Sequence, residues 1–161
     1  MQITKEKYHN ILINSFTQIM QVMFKESIVD DIKIIPGLPL EEKREVALVI
    51  HFTGGLNGKI ILSCSFNTAL KISKKISGCK QETEIKPKEQ KQFLKDNLGE
   101  LINMLSGKIV YIFQKEYGTT RITTPTIIIG SKLIVSIYSE KSIYTYLELP
   151  FGKIELTLTL N

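Results

Sequence analysis

Residues 91–114 read KQFLKDNLGELINMLSGKIVYIFQ, the longest stretch of helical period in the chain and the one on which the fold turns. At about 100° per residue, Leu94, Leu98, Leu101, Ile102, Leu105, Ile109 and Ile112 fall on one side and form a core-facing stripe. Asp96, Glu100, Asn103 and Gly107 gather on the opposite side, within roughly 60° of arc. Glu100 and Asn103 stand three residues apart, so they project the same way from adjacent turns. A carboxylate beside a carboxamide can pair with a cation and can hold a water by both a donor and an acceptor. Gly107 on that face costs the helix about 1 kcal/mol against alanine. Clearance for an approaching surface is a reason to keep it.

Outward from this helix the periods alternate. Residues 4–25 read as a second long helix, with Tyr8, Ile11, Leu12, Phe16, Ile19, Met20 and Met23 on one face and Thr4 as its cap. Ile32, Ile34 and Ile35 predict a short strand, stopped by Pro36-Gly37-Leu38-Pro39. Strands over 45–52 and 59–64 flank Gly54-Gly55-Leu56-Asn57-Gly58, a hairpin signal with no lysine–serine pair to make it a phosphate cradle. Asn67 is placed to cap a short helix over 68–77 that Gly78 closes. Pro87 suits the first turn of the central helix, and Gly118 ends it. Beyond it the period drops to 2: strands are expected over 122–129, 133–138, 142–149 and 153–160, with Thr124-Pro125-Thr126 at the start of the first. The expectation is an α+β fold: one domain over 1–161, a mainly antiparallel sheet covered on one face by two long helices and one short helix.

Composition narrows the function classes. With 161 residues, 43% hydrophobic and 23% charged, the chain can build a real core. The net charge of +5 comes from lysines scattered along the chain, consistent with an acidic partner or simply with a solvated surface. No aromatic–basic interleaving points to nucleic acid, and no apolar run approaches the roughly 18 residues a bilayer span needs. Cys64 and Cys79 make neither a disulfide framework nor a metal knuckle. His9 has no second ligand at metal spacing and His51 falls within a strand. With no leader pattern ahead of the first helix, a reduced cytoplasmic setting is expected.

The run Gly99-Glu100-Leu101-Ile102-Asn103-Met104-Leu105-Ser106-Gly107 resembles the signature helix of the CheC/CheX/FliY group of chemotaxis phosphatases. The opening helix at 8–16, the 54–63 hairpin, Ala69-Leu70-Lys71-Ile72, the 124–130 segment and the closing 149–160 hairpin are similar to CheX in particular. Only Glu100 among the glutamates has Asn three residues on, so the chain resembles the single-site CheX type rather than the two-site CheC type. The resemblance implies one CheX-like phosphatase domain that hydrolyses the aspartyl-phosphate of a CheY-type response regulator. It further implies that Asn103 orients the attacking water and Glu100 pairs with the regulator's lysine, with Asp96 and Gly107 facing the partner. It implies a homodimer without a cofactor of its own, the Mg²⁺ being supplied by the regulator. The alternative is a module of the same fold that binds a regulator or a chemotaxis or flagellar component without turnover.

Overall fold

The computed structural model describes residues 5–24, 32–35, 44–131, 133 and 141–161. Among the described residues three helices are present: α1 (Lys5–Phe24), α2 (Phe66–Ser77) and α3 (Pro87–Tyr117). Seven strands accompany them: β1 (Lys33–Ile35), β2 (Val46–Gly54), β3 (Gly58–Cys64), β4 (Thr120–Ile122), β5 (Thr126–Ile129), β6 (Ser142–Leu149) and β7 (Gly152–Leu160). They form one open sheet in the order β1-β6-β7-β3-β2-β4, with β5 also paired to β2, and every described pairing is antiparallel. This is the expected α+β class. Thr4, residues 36–39 and, apart from Leu133, the strand expected over 133–138 lie outside the described residues.

Register puts the large apolar side chains on one face. Ile60 stands opposite Ile50 on β2 and Leu158 on β7, and Leu62 opposite Leu48 and Leu156. These side chains are buried in one cluster with Leu12, Phe16 and Met20 of α1, Ile72 of α2, and Leu94, Leu98, Leu101, Ile102, Leu105 and Ile109 of α3. The stripe read from the sequence is therefore the side of α3 that packs on the sheet. Ile112 is the exception, half-buried where it borders a groove shared with Ile11, Asn14 and Gln18 of α1.

The opposite face of the sheet is mixed, and its β3–β7–β6 part is enclosed, which period-2 alternation does not disclose. Glu155, Thr157 and Thr159 of β7 are buried. Arg44 forms an ion pair with Glu155, and the Tyr146 hydroxyl donates to the same carboxylate at 2.6 Å. Burial, with this carboxylate beside it, pushes the Tyr146 hydroxyl well above the ordinary tyrosine range. Cys64 is buried too, and desolvation pushes its thiol up to about 12, so the nucleophilic thiolate is suppressed.

Two local expectations are corrected. The cap of α2 is Ser65, not Asn67: Ser65 is extended, and its Oγ accepts from the Thr68 N–H at 3.1 Å. Both residue types cap well, and the serine two positions earlier starts the helix at Phe66, which places Asn67 inside it. The strand expected over 122–129 is two strands. Residues 123–125 interrupt it because Pro125 has no N–H to give the ladder. The break is nevertheless anchored: Thr123 N–H donates to the His51 carbonyl at 2.9 Å, and His51 N–H donates to Thr123 Oγ1 at 3.1 Å.

The β2–β3 hairpin bears on α3 as well. Gly54 has φ +131°, and a Cβ there or on Gly55 would run into the Thr119 or Tyr117 carbonyl. Those glycines let the chain leaving α3 pass flush against the hairpin. Phe113 sits at the same junction, with its ring 5.8 Å from both Tyr8 and Phe52 and 6.3 Å from Tyr117. At the helix ends Lys7 pairs with Glu116 at 2.5 Å, holding that carboxyl below its usual range.

Candidate functional site

α3 spans 31 residues, roughly 46 Å at 1.5 Å per residue, and only one side of it is consumed by the core. Pro87 begins it at the position where a missing N–H costs nothing, and Gly118 ends it with φ +87°. On its outer side Glu100 and Asn103 are exposed. Neither side chain is hydrogen-bonded to a described residue. The packed side of α3 thus lies beneath a carboxylate and a carboxamide that have no partner among the described residues.

They look onto a groove of about 240 Å³ between α3 and the broken strand. Lys95, Asp96, Gly99, Glu100 and Asn103 form one wall, Leu48 of β2 borders it, and Thr124, Pro125 and Ile127 face them. The interruption at Pro125 is thus the far wall of the site, a role its reading as the start of a strand did not contain. Lys95 was likewise not among the residues singled out; its single positive charge in a lysine-rich stretch carries no distinguishing signal.

Of the four candidates, three line this groove and one does not. Asp96 is engaged, accepting from Gln92 Nε2 at 2.6 Å one turn earlier. Gly107 lies a turn beyond Asn103, outside the groove lining. A Cβ built on Gly107 or on Gly99 meets nothing within 4 Å. Packing within this chain therefore does not require either glycine, although each weakens its helix by about 1 kcal/mol relative to alanine. Gly99 is buried beside the groove and Gly107 is half-buried.

Among the described residues no group of His, Cys, Asp and Glu is arranged to hold a metal ion. No described helix is long and apolar enough to cross a membrane. His51 is on the outer face of β2 and His9 on α1, neither of them bordering the groove. The arrangement is suited to pairing with a cation and fixing a water on a docked surface.

What the fold and site define is a carboxylate–carboxamide pair displayed by a helix on an open antiparallel sheet. The chain belongs to the CheX family of chemotaxis phosphatases: the family model, chemotaxis phosphatase CheX, matches residues 46–148, more than half of its length. A relative from Thermotoga maritima, the CheY-P phosphatase CheX, is 27% identical over 124 residues, covering 70% of this chain and 77% of its own. The fold is similar to that of CheX in the CheX–CheY–BeF3–Mg²⁺ complex from Borrelia burgdorferi, with a TM-score of 0.78 at 20% identity over 94% and 96% of the two chains. It is also similar to the chemotaxis protein CheX of Desulfovibrio desulfuricans, with a TM-score of 0.71 at 23% identity over 94% and 97%.

Proposed function

We propose that residues 1–161 form one CheX-like domain that hydrolyses the aspartyl-phosphate of a CheY-type response regulator, with Glu100 and Asn103 as its working residues. The observation that carries this reading is their juxtaposition: exposed, without partners among the described residues, one turn apart on a helix that faces a groove. An acyl phosphate needs an in-line water and neutralisation of its phosphoryl oxygens. A regulator that brings Mg²⁺ and a lysine supplies the neutralisation. Asn103 supplies the rest, its carboxamide holding the attacking water, while Glu100 pairs with the regulator's lysine and sets the helix in register. Asp96, tethered by Gln92, borders the docked surface, and Gly107 leaves room for it. The protein acts in the cytoplasm and needs no cofactor of its own.

The test is release of inorganic phosphate from a phosphorylated CheY-type regulator of the same cell. Catalytic amounts of this chain should shorten the phosphorylated lifetime. Stoichiometric binding without a change in lifetime would instead make it a recognition module of the same fold.

Gly107 gives a separate check. Gly107→Ala should raise stability by about 1 kcal/mol, since its Cβ enters open space. Gly107→Leu should melt close to wild type yet weaken regulator binding by about tenfold, near 1.4 kcal/mol. Undiminished binding by the leucine variant would remove the clearance role. The family resemblance also leads to a homodimer as the working form, and light scattering at micromolar concentration should return twice the 18.3 kDa chain mass; a monomer mass would reject it.

A further inference from the structure

Most of the described glycines have a reason inside the chain. Gly54, Gly78, Gly118 and Gly152 take a positive φ, and a Cβ on Gly55, Gly58 or Gly130 would run into a neighbouring residue. Gly99 and Gly107 have neither reason, since a Cβ on either meets nothing within 4 Å. The two differ in place. Gly107 is half-buried outside the Glu100–Asn103 groove, whereas Gly99 is buried and lines it.

Burial makes Gly99 part of the groove's floor. Of the α3 residues along it, Lys95, Asp96, Glu100 and Asn103 are exposed while Gly99 is buried, and Leu48 of β2 is buried as well. Gly99 stands one turn before Asn103, about 40° round the helix from it. Helical side chains lean toward the N-terminus, so Asn103 covers surface over the turn to which Gly99 belongs. The volume that a Cβ on Gly99 would fill is therefore low in the groove and beside the carboxamide. Its two neighbours in sequence aside, no described side chain comes within 4 Å of that point.

We propose that Gly99 is a positioning residue for the dephosphorylation: its missing side chain keeps the floor low enough for the water held by Asn103 to reach the phosphorus of the docked aspartyl-phosphate. The inference rests on the phosphatase reading. In that step the water oxygen bonds to phosphorus as the bond to the aspartyl oxygen breaks. The products are the free carboxylate and inorganic phosphate, the water's two protons leaving on the phosphate as H2PO4−. In-line geometry fixes where the water must stand. A methyl group, comparable in bulk to a water molecule, would take that place or turn the carboxamide off line. A glycine that weakens its own helix is thus kept where the reaction, not the fold, gains from it.

Gly99→Ala is the test, because fold and reaction predict opposite signs for it. Alanine favours the helix and its Cβ enters open space, so the variant should melt above the wild type when followed by circular dichroism. Its kcat toward a phosphorylated CheY-type regulator should nevertheless fall by about 10-fold to 10²-fold, since a misplacement of about 1 Å at a reacting centre costs on the order of 10². KM, and affinity for the BeF3- and Mg²⁺-loaded regulator, should stay close to wild type. Wild-type kcat in the variant would overturn the proposal. So would affinity that falls in step with kcat, which makes the glycine a clearance for docking, or a lower melting temperature, which makes it a packing residue. If the wild type itself accelerates nothing, the phosphatase reading falls and this proposal with it, an outcome distinct from an active wild type beside an equally active variant.

Discussion

Asn103→Ala is expected to abolish the acceleration of regulator dephosphorylation, lowering kcat by about 10²–10³, the scale of losing one preorganised hydrogen-bonding group at a reacting centre. Binding of the BeF3- and Mg²⁺-loaded regulator should survive, because the removed carboxamide is one small part of a long docking face. Its side chain has no described internal partner, so its loss strands no other group and the fold should melt as before. Glu100→Ala should differ in kind: it removes the group proposed to pair with the regulator's lysine, so affinity and turnover should fall together. Single-turnover decay of the phosphorylated regulator at saturating protein separates the two effects. Wild-type turnover by Asn103→Ala would exclude the carboxamide from the chemistry.

Phe113→Ala should cost about 3–5 kcal/mol, the range for emptying a fully buried phenylalanine site. The ring is 1% exposed and touches Tyr8 of α1, Phe52 of β2 and Tyr117 at the end of its own helix. The three groups it joins are separately anchored, so they cannot all move in to close the void. Against a total of about 5–15 kcal/mol for a domain, this is a large share. Urea denaturation followed by circular dichroism measures it, and Phe113→Leu should recover part of the loss. A cost below about 1 kcal/mol would mean that the junction repacks freely, contrary to the cavity argument.

What could be read from the sequence was whatever a single segment decides by itself. The 3.6 period of α3 depends only on its own residues, and it located both the buried stripe and the exposed Glu100–Asn103 pair. The alternation of β7 was visible for the same reason. That Glu155 and Thr157 are buried beside Tyr146, Arg44 and β3 was not, because enclosure of the second face depends on what neighbouring strands contribute. Choosing Ser65 over Asn67 as a cap required knowing where β3 releases the chain, since the two side chains offer nearly the same acceptor. The far wall of the groove was beyond reach for a related reason. Thr124 and Pro125 meet Glu100 and Asn103 only after β4 and β5 both settle on β2, and no local periodicity encodes that meeting.

The anchored interruption between β4 and β5 has a mechanical corollary. With Thr123 doubly bonded to His51 and α3 packed along its buried side, neither wall of the Glu100–Asn103 groove is a free loop. On the phosphatase reading proposed above, this chain would surrender little conformational entropy on association, and the adjustments of the encounter would fall to the regulator. A rigid template of this kind selects among conformations already present in its target. Its apparent affinity is then scaled by the fraction of regulator molecules that present the open, phosphorylated face. A change that alters that fraction, even one far from the contact, would be felt here as a change in dephosphorylation.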